Sequence, residues 1–410
     1  MNRFATRSLP RRFCALALLM LPCLPVTAVE EMGFQLGGFG TLGLTYNDSD
    51  DFAFVRDSFQ PDGIKNEVST KTDSTLGIQA RYRFTPHLDA VVQLLSRHDA
   101  DGSFPPEVNW AYLKYTPTPD WDLRAGRLSW DVYMLSDSRY VGYSFLWVRP
   151  PIEYFGVQQL SHIDGFDVTW TRPLDSGLFW IKAYGGFADE ELPIEDAQDY
   201  DLGGSYVVGA HANYQFGDWW LRLGFAREAL DEAADDLQPL FERMATAGGE
   251  TGAELADDMR LAGADVDHFV VGLLYSRGPL RLQFMFDHSD SDTLLFTDFY
   301  TGYATVSYRV GDWTPFLSFA AIESDRIDRE SGFPSGSPDD AAIQAFLRDV
   351  RYDQHTTSLG VRRDITENVA LKFQVDRLWA KSPAVTMMRD PAPDWDGRGT
   401  VVTATLDFVF

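Results

Sequence analysis

Thr75-Leu76-Gly77-Ile78-Gln79-Ala80-Arg81-Tyr82-Arg83-Phe84 places an apolar or aromatic residue at every even position and a small, polar or cationic one at every odd position. Successive side chains of an extended chain point to opposite faces, so this period of two builds a strand with one apolar and one polar face. The stretch from Val401 to Phe410 repeats the pattern. Val402, Ala404, Leu406, Phe408 and Phe410 alternate with a face carrying Thr403, Thr405 and Asp407. About sixteen such segments can be marked along the chain. They lie near 33–47, 72–84, 88–98, 107–116, 121–129, 162–172, 177–187, 203–216, 218–228, 266–277, 279–288, 300–310, 313–323, 352–363, 368–379 and 400–410. Most are close to the ~9–11 residues that a tilted strand needs to cross a bilayer.

The connectors between these segments alternate between two classes. Tight ones are Thr85-Pro86-His87, Pro117-Thr118-Pro119-Asp120, Pro173-Leu174-Asp175-Ser176, Gly217-Asp218, Arg277-Gly278-Pro279, Gly311-Asp312 and Thr366-Glu367-Asn368. Long ones are 48–71, 99–106, 130–161, 188–202, 229–265, 289–299, 324–351 and 380–399. Short turns on one side and longer loops on the other are a property of outer-membrane barrels, whereas a soluble sandwich has no reason to sort its connectors this way. Backbone polar groups cannot go unpaired in hydrocarbon, so a spanning sheet must close on itself. The expected fold is therefore all-β: a closed antiparallel transmembrane barrel of about sixteen strands, apolar face to lipid and polar face to a lumen. Tyr82, Phe84, Trp121, Phe216, Trp219, Trp313 and Phe410 stand beside the short turns, where an interfacial aromatic girdle belongs.

The beginning of the chain points to export. Arg3, Arg7, Arg11 and Arg12 precede an apolar stretch from Phe13 to Leu24, and Val26-Thr27-Ala28 supplies small residues for cleavage. Residues 1–28 are read as a signal peptide, leaving 29–410 as the barrel. Both cysteines, Cys14 and Cys23, fall within the leader, so no disulfide framework is expected beyond it. Loss of four arginines and no acids takes the formal charge from −26 to −30. Such an acidic chain would be repelled by a phosphate backbone, which argues against nucleic acid as a partner. A highly acidic soluble β protein is the composition-level alternative, and the strand and connector pattern decides against it.

Several short motifs carry a family resemblance. Gly38-Phe39-Gly40-Thr41-Leu42-Gly43-Leu44-Thr45 resembles the first strand of Gram-negative porins, and Thr405-Leu406-Asp407-Phe408-Val409-Phe410 resembles their terminal strand. Ala111-Tyr112-Leu113-Lys114-Tyr115 and Arg124-Ala125-Gly126-Arg127 are similar to the porin strands that precede the third loop. In layout the resemblance covers essentially the whole chain after the leader, and none of its motifs identifies a substrate. It implies a sixteen-stranded, usually trimeric barrel in the outer membrane, surrounded by lipid and lipopolysaccharide. It further implies a terminal Phe410 read by the barrel assembly machinery, and a third external loop folded inward as a constriction.

By strand order that third loop is 130–161, rich in aromatics for an exposed segment. If it enters the lumen it offers Asp131, Asp137, Arg139, Arg149 and Glu153 to the pore; packing on a neighbouring subunit or the rim is the alternative. Strand parity sends Arg81, Arg83, Lys114, Arg124, Lys182, Arg222, Arg281, Arg309, Arg362 and Lys372 toward the lumen, against fewer acids: Asp89, Asp167, Asp287, Asp376 and Asp407. Acids cluster instead in the loops, as at Asp189-Glu190-Glu191, Asp235-Asp236 and Asp339-Asp340. A net cationic lumen favours anions in a water-filled pore, unless the cations are neutralised by neighbouring acids. The acid clusters are read as solvated loop charge, with divalent cations bridging to lipopolysaccharide as the second reading. Residues 229–262 and 339–350 carry helical apolar spacing.

Histidines show no metal-ligand spacing, and no nucleophile elbow or glycine-rich phosphate loop is present. His288 and Ser289 are adjacent and face opposite ways on a strand. The expectation is therefore a non-enzymatic porin, without cofactor, for passive diffusion of small hydrophilic solutes. A non-conducting barrel acting in adhesion or envelope structure is the alternative.

Overall fold

The computed structural model describes residues 33–60, 62–98, 102–193, 199–231, 237–382 and 388–410. The expected leader at 1–28 lies outside the described residues, as do Asp235 and Asp236. Sixteen strands form one antiparallel sheet: β1 (Gly33–Asn47), β2 (Thr75–Thr85), β3 (Leu88–Arg97), β4 (Pro106–Thr118), β5 (Trp121–Ser129), β6 (His162–Leu174), β7 (Gly177–Phe187) and β8 (Tyr206–Phe216). The series continues with β9 (Trp219–Ala229), β10 (Asp265–Arg277), β11 (Leu280–Ser291), β12 (Phe299–Tyr308), β13 (Trp313–Ser324), β14 (Asp353–Thr366), β15 (Val369–Ser382) and β16 (Arg398–Val409). Each strand pairs with the next, and β16 returns to β1, with Phe39 opposite Val409 and Asn47 opposite Val401. The ring is closed, so no edge is left to hydrogen-bond elsewhere.

Two-residue turns such as Gly217-Asp218 and Gly278-Pro279 join the strands at one end of the barrel. Gly217 (φ 52°) and Gly278 (φ 57°) adopt the left-handed conformation that such turns require. At the other end the connectors are longer: 48–74, 98–105, 130–161, 188–205, 230–264, 292–298, 325–352 and 383–397. Three helices cover this loop end: Gln238–Ala247, Gly249–Asp258 and Pro338–Asp349. The last is capped by Ser337, whose side chain accepts from the Asp340 amide. No helix of the described residues is long and apolar enough to cross a membrane.

Burial follows parity, in the reverse sense to a soluble protein. Leu406 is 38% exposed, whereas its neighbour Asp407 is 0% exposed. Leu42 and Leu44 point outward, while Thr41 and Thr45 are buried. Apolar side chains thus form the outer surface and polar ones the interior, the arrangement that hydrocarbon surroundings demand. Beside the turns, Tyr82, Phe84, Trp121, Trp219, Trp313 and Phe410 are exposed on the outer face. Several pair there: Tyr82 with Phe84 at 4.8 Å and Trp219 with Tyr275 at 4.5 Å between ring centroids. Arg363 caps this belt, its guanidinium 4.9 Å from the Trp313 ring.

A candidate constriction across the lumen

Loop 130–161 leaves β5 and turns into the barrel, where Trp130, Tyr133, Met134, Trp147 and Tyr154 are all fully buried. Its apolar side chains have no other place to go. They join an aromatic and aliphatic cluster inside the ring that includes Phe155, Leu160, Tyr303 and Phe316. A left-handed Leu135 (φ 76°) introduces a short 3-10 turn over Ser136–Ser138. Leucine tolerates this conformation only under constraint from its surroundings.

Polar side chains of the wall hold the loop at both ends. At one, the Asp131 carboxylate receives Lys182 Nζ at 2.7 Å, Arg222 Nη1 at 2.8 Å and His211 Nε2 at 3.1 Å. Burial alone would raise this carboxyl, yet Arg222, Lys182 and His211 together hold it well below the usual carboxylate range. Tyr133 Oη donates to Asp287 at 2.9 Å, and its carbonyl accepts from Arg222. Across the lumen, Lys372 Nζ donates to the carbonyls of Gly142 (2.6 Å) and Trp147 (2.8 Å) while facing Asp407 at 3.2 Å. The backbone approaches the wall so closely here that a Cβ on Gly142 would overlap Asp407 and Thr41. Arg149 then forms a forked pair with Asp73 (2.9 and 2.8 Å) and donates one further bond to Asp376 (2.8 Å). Burial would raise Asp73, but the Arg149 guanidinium keeps its carboxyl below the ordinary value. Glu153 accepts from Gln354 (2.8 Å) and Thr356.

The other expected lumen cations are inside as parity requires, but most already have an anion. Arg81 and Arg83 share Asp89, and Lys114 pairs with Asp122 at 3.0 Å. Arg124 forks onto Asp167, which Lys182 also reaches at 3.4 Å. Arg362 and Arg309 share Asp364 at 2.7 and 3.2 Å. Arg281 makes no ion pair among the described residues, and its Nε is buried without an acceptor. Asp137 is exposed. Arg281, Arg309 and Arg362 border a cavity of about 900 Å³ at the turn end, between Tyr143–Leu146 of the loop and the barrel wall.

Parity reading overlooked Arg97, although it shares the inward register of Asp89 and Gln93 on β3. Arg56 and Asp73 sit in loop 48–74 and carry no periodic signal. The buried set of His268, Ser289 and Asp287 was also missed. Ser289 Oγ lies 2.8 Å from His268 Nδ1 and 3.0 Å from Asp287 Oδ2. Serine and aspartate meet the same ring nitrogen, and Ser289 is wholly buried. The other ring nitrogen, His268 Nε2, faces Glu228 at 4.0 Å, so the ring stands between two buried acids.

The same architecture recurs in known proteins. OmpT of Vibrio cholerae, in a form lacking loop L8, superposes over 93% of this chain and 100% of its own at 14% identity and TM-score 0.55. Salmonella typhi OmpF, solved with daunomycin, covers 92% of this chain and 97% of its own at 12% identity and TM-score 0.54. An anion-selective porin from Comamonas acidovorans covers 92% and 99% at 14% identity and TM-score 0.53. The fold is that of the sixteen-stranded porins. No family model and no curated protein matches the sequence. The likeness to these porins therefore lies in backbone layout.

The two carboxyls that seat the loop give opposite pH signatures. Burial pushes the Glu153 carboxyl above its ordinary value, opposed in part by Gln354 and Thr356. A raised carboxyl holds its proton more tightly in the fold, so stability falls as pH climbs from the unfolded value through the raised one. Asp73, held low, stabilises above the unfolded value and loses that contribution as pH falls through its lowered one. Glu153→Gln keeps both accepted hydrogen bonds. It should raise the thermal unfolding midpoint over wild type above about pH 5, with the advantage gone below about pH 4. Circular dichroism of detergent-folded protein reads this, and an advantage independent of pH would refute it.

Proposed function

We propose that the chain forms an outer-membrane pore for passive diffusion of small hydrophilic solutes, with a preference for anions and without catalysis. The observation that carries this reading is a polar, charged barrel interior crossed by loop 130–161, which is bonded to opposite walls through Asp131 and Arg149. A polar lumen has no stabilising role in lipid unless water reaches it. Export through a leader, surrounding lipid and lipopolysaccharide, assembly through Phe410 and a homotrimeric state belong to the same proposal. Of the proposed pore-lining residues, those already neutralised set the width, and those lacking a partner set the selectivity.

Conductance in planar bilayers tests the channel: folded protein should insert in stepwise increments, and its absence would sink the reading. In a salt gradient the reversal potential should lie on the chloride side. Arg281→Gln should lower the anion-to-cation permeability ratio by about fivefold, since a unit charge at ~4 Å in water-like surroundings contributes about 1 kcal/mol. An unchanged ratio removes Arg281 from the pore.

A specific observation favours the second reading, a non-conducting barrel in adhesion or envelope structure. The apolar cluster inside the ring runs from Trp147 and Tyr303 to Phe241, Met244 and Leu255 of the two helices in loop 230–264. Such packing narrows the path. Deleting 238–258 should therefore raise single-channel conductance if the helices cap the pore. Equal conductance would place them beside it.

A further inference from the structure

Three arginines from separate parts of the chain converge on one ring in the lumen. The guanidinium carbons of Arg56, Arg97 and Arg139 stand 6.0, 4.8 and 4.7 Å from the Tyr140 centroid. Arg97 and Arg139 also lie 4.5 and 5.4 Å from the Phe59 centroid. Both are buried, at 8% and 6% exposure, and the Arg56 side chain is nearly so. Cations withdrawn from water need anions close by. The acids here fall short: Asp57 is 3.9 Å from Arg56, and the half-exposed Glu107 is 3.7 Å from Arg97. Arg97 spends one donor on Tyr140 Oη at 2.8 Å. Among the described residues, Arg139 Nη2 and Arg97 Nε are both buried without an acceptor. Elsewhere in the lumen almost every cation has its carboxylate. Here, among the described residues, the acids stand at 3.7 and 3.9 Å and Arg139 has none.

We propose that the cluster binds the carboxylate head of a small organic monoanion. The proposal rests on the reading of the lumen as open to solutes, and names what that lumen would hold. A planar carboxylate matches the guanidinium fork and can take the unused donor of Arg139, which lines the cleft together with Arg56. The cleft beside them, lined by Arg56, Asp57, Arg139, Tyr140, Pro150 and Phe155, has about 20 Å³ of free space. So narrow a space favours a flat two-oxygen head over a bulkier tetrahedral oxyanion. Asp57 beside Arg56 weighs against a second negative charge. Tyr140 and Phe59 supply apolar faces that exclude competing water.

The test titrates sodium propionate, and separately inorganic phosphate, into the full chain folded in detergent at pH 7, read by calorimetry. Propionate should bind saturably at one site. Arg139→Gln and Arg56→Gln should each weaken it at least tenfold, and phosphate should bind at least tenfold more weakly than propionate. Far-ultraviolet circular dichroism checks the fold of each variant, and Arg56→Gln carries the test if Arg139→Gln does not fold. No saturable heat, affinity unchanged in the folded variants, or tighter phosphate binding overturns the carboxylate site. Bilayer conductance is scored separately. Propionate binding without current keeps the site and removes the channel; current without propionate binding keeps the channel and removes the site.

Discussion

Replacing Arg149 with methionine is expected to release the seat of loop 130–161, speeding hydrogen exchange at the amides of Trp147 and Val148 by at least about 100-fold. The side chain is 3% exposed and stands between two carboxylates, Asp73 and Asp376, that are themselves almost fully buried. Removing one partner of a buried pair leaves its counter-charge uncompensated, at a cost of about 3–5 kcal/mol. Each 1.4 kcal/mol is a factor of about ten in an opening equilibrium, which sets the 100-fold floor. Arg149→Lys keeps the charge but loses the fork onto Asp73, so it should recover only part of the protection. The ladder of sixteen strands is untouched, so strand amides should exchange as in wild type. Uniform acceleration would mean that the substitution loosens the barrel, and unchanged exchange at the loop would show that Arg149 is not its anchor.

Asp131→Asn is expected to change selectivity most. One carboxylate there answers Lys182, Arg222 and His211, and among the described residues only Lys182 has another acid, Asp167, within 3.4 Å. Neutralising it leaves the lumen one positive charge richer. The reversal potential in a salt gradient should move toward the chloride equilibrium value, with a permeability-ratio change of about fivefold or more. Arg222→Gln should move it the opposite way, and the double variant should return near wild type. If Asp131→Asn leaves the potential fixed, this end of the loop lies off the solute path.

The strands were legible because two solvents act on them. Lipid outside and polar surroundings inside impose a period of two on segments such as 75–84, and every one of the sixteen segments is a strand within a few residues. Extensions such as β14 to Thr366 and β11 to Ser291 occur where the alternating signal fades into turn or loop. Parity also puts the strand cations on the face that carries the buried Asp89, Asp167 and Asp407. It could not say whom they meet there, because partners across a lumen share no local pattern: Arg149 is 76 residues from Asp73 and 227 from Asp376. The expected cationic character of the lumen is accordingly reduced to a few groups, among them Arg281 and Arg139. Arg97 was within reach of the same alternation. Arg56 was not, since a loop residue acquires its neighbours only when the loop folds.

The seam between β1 and β16 also sets the order in which the molecule can be made. Thr41 meets Asp407 across 366 residues, and Gly38 exchanges both backbone hydrogen bonds with Phe410. Until those partners meet, both rims of the nascent sheet stay unpaired and the outward row of Leu42, Leu44, Leu76 and Ile78 has no lipid around it. Closing so large a loop is entropically slow and exposes sticky rims while it waits. Shielding the open sheet until its two ends join should therefore raise the folded yield, and damage to the seam should appear first as lost yield.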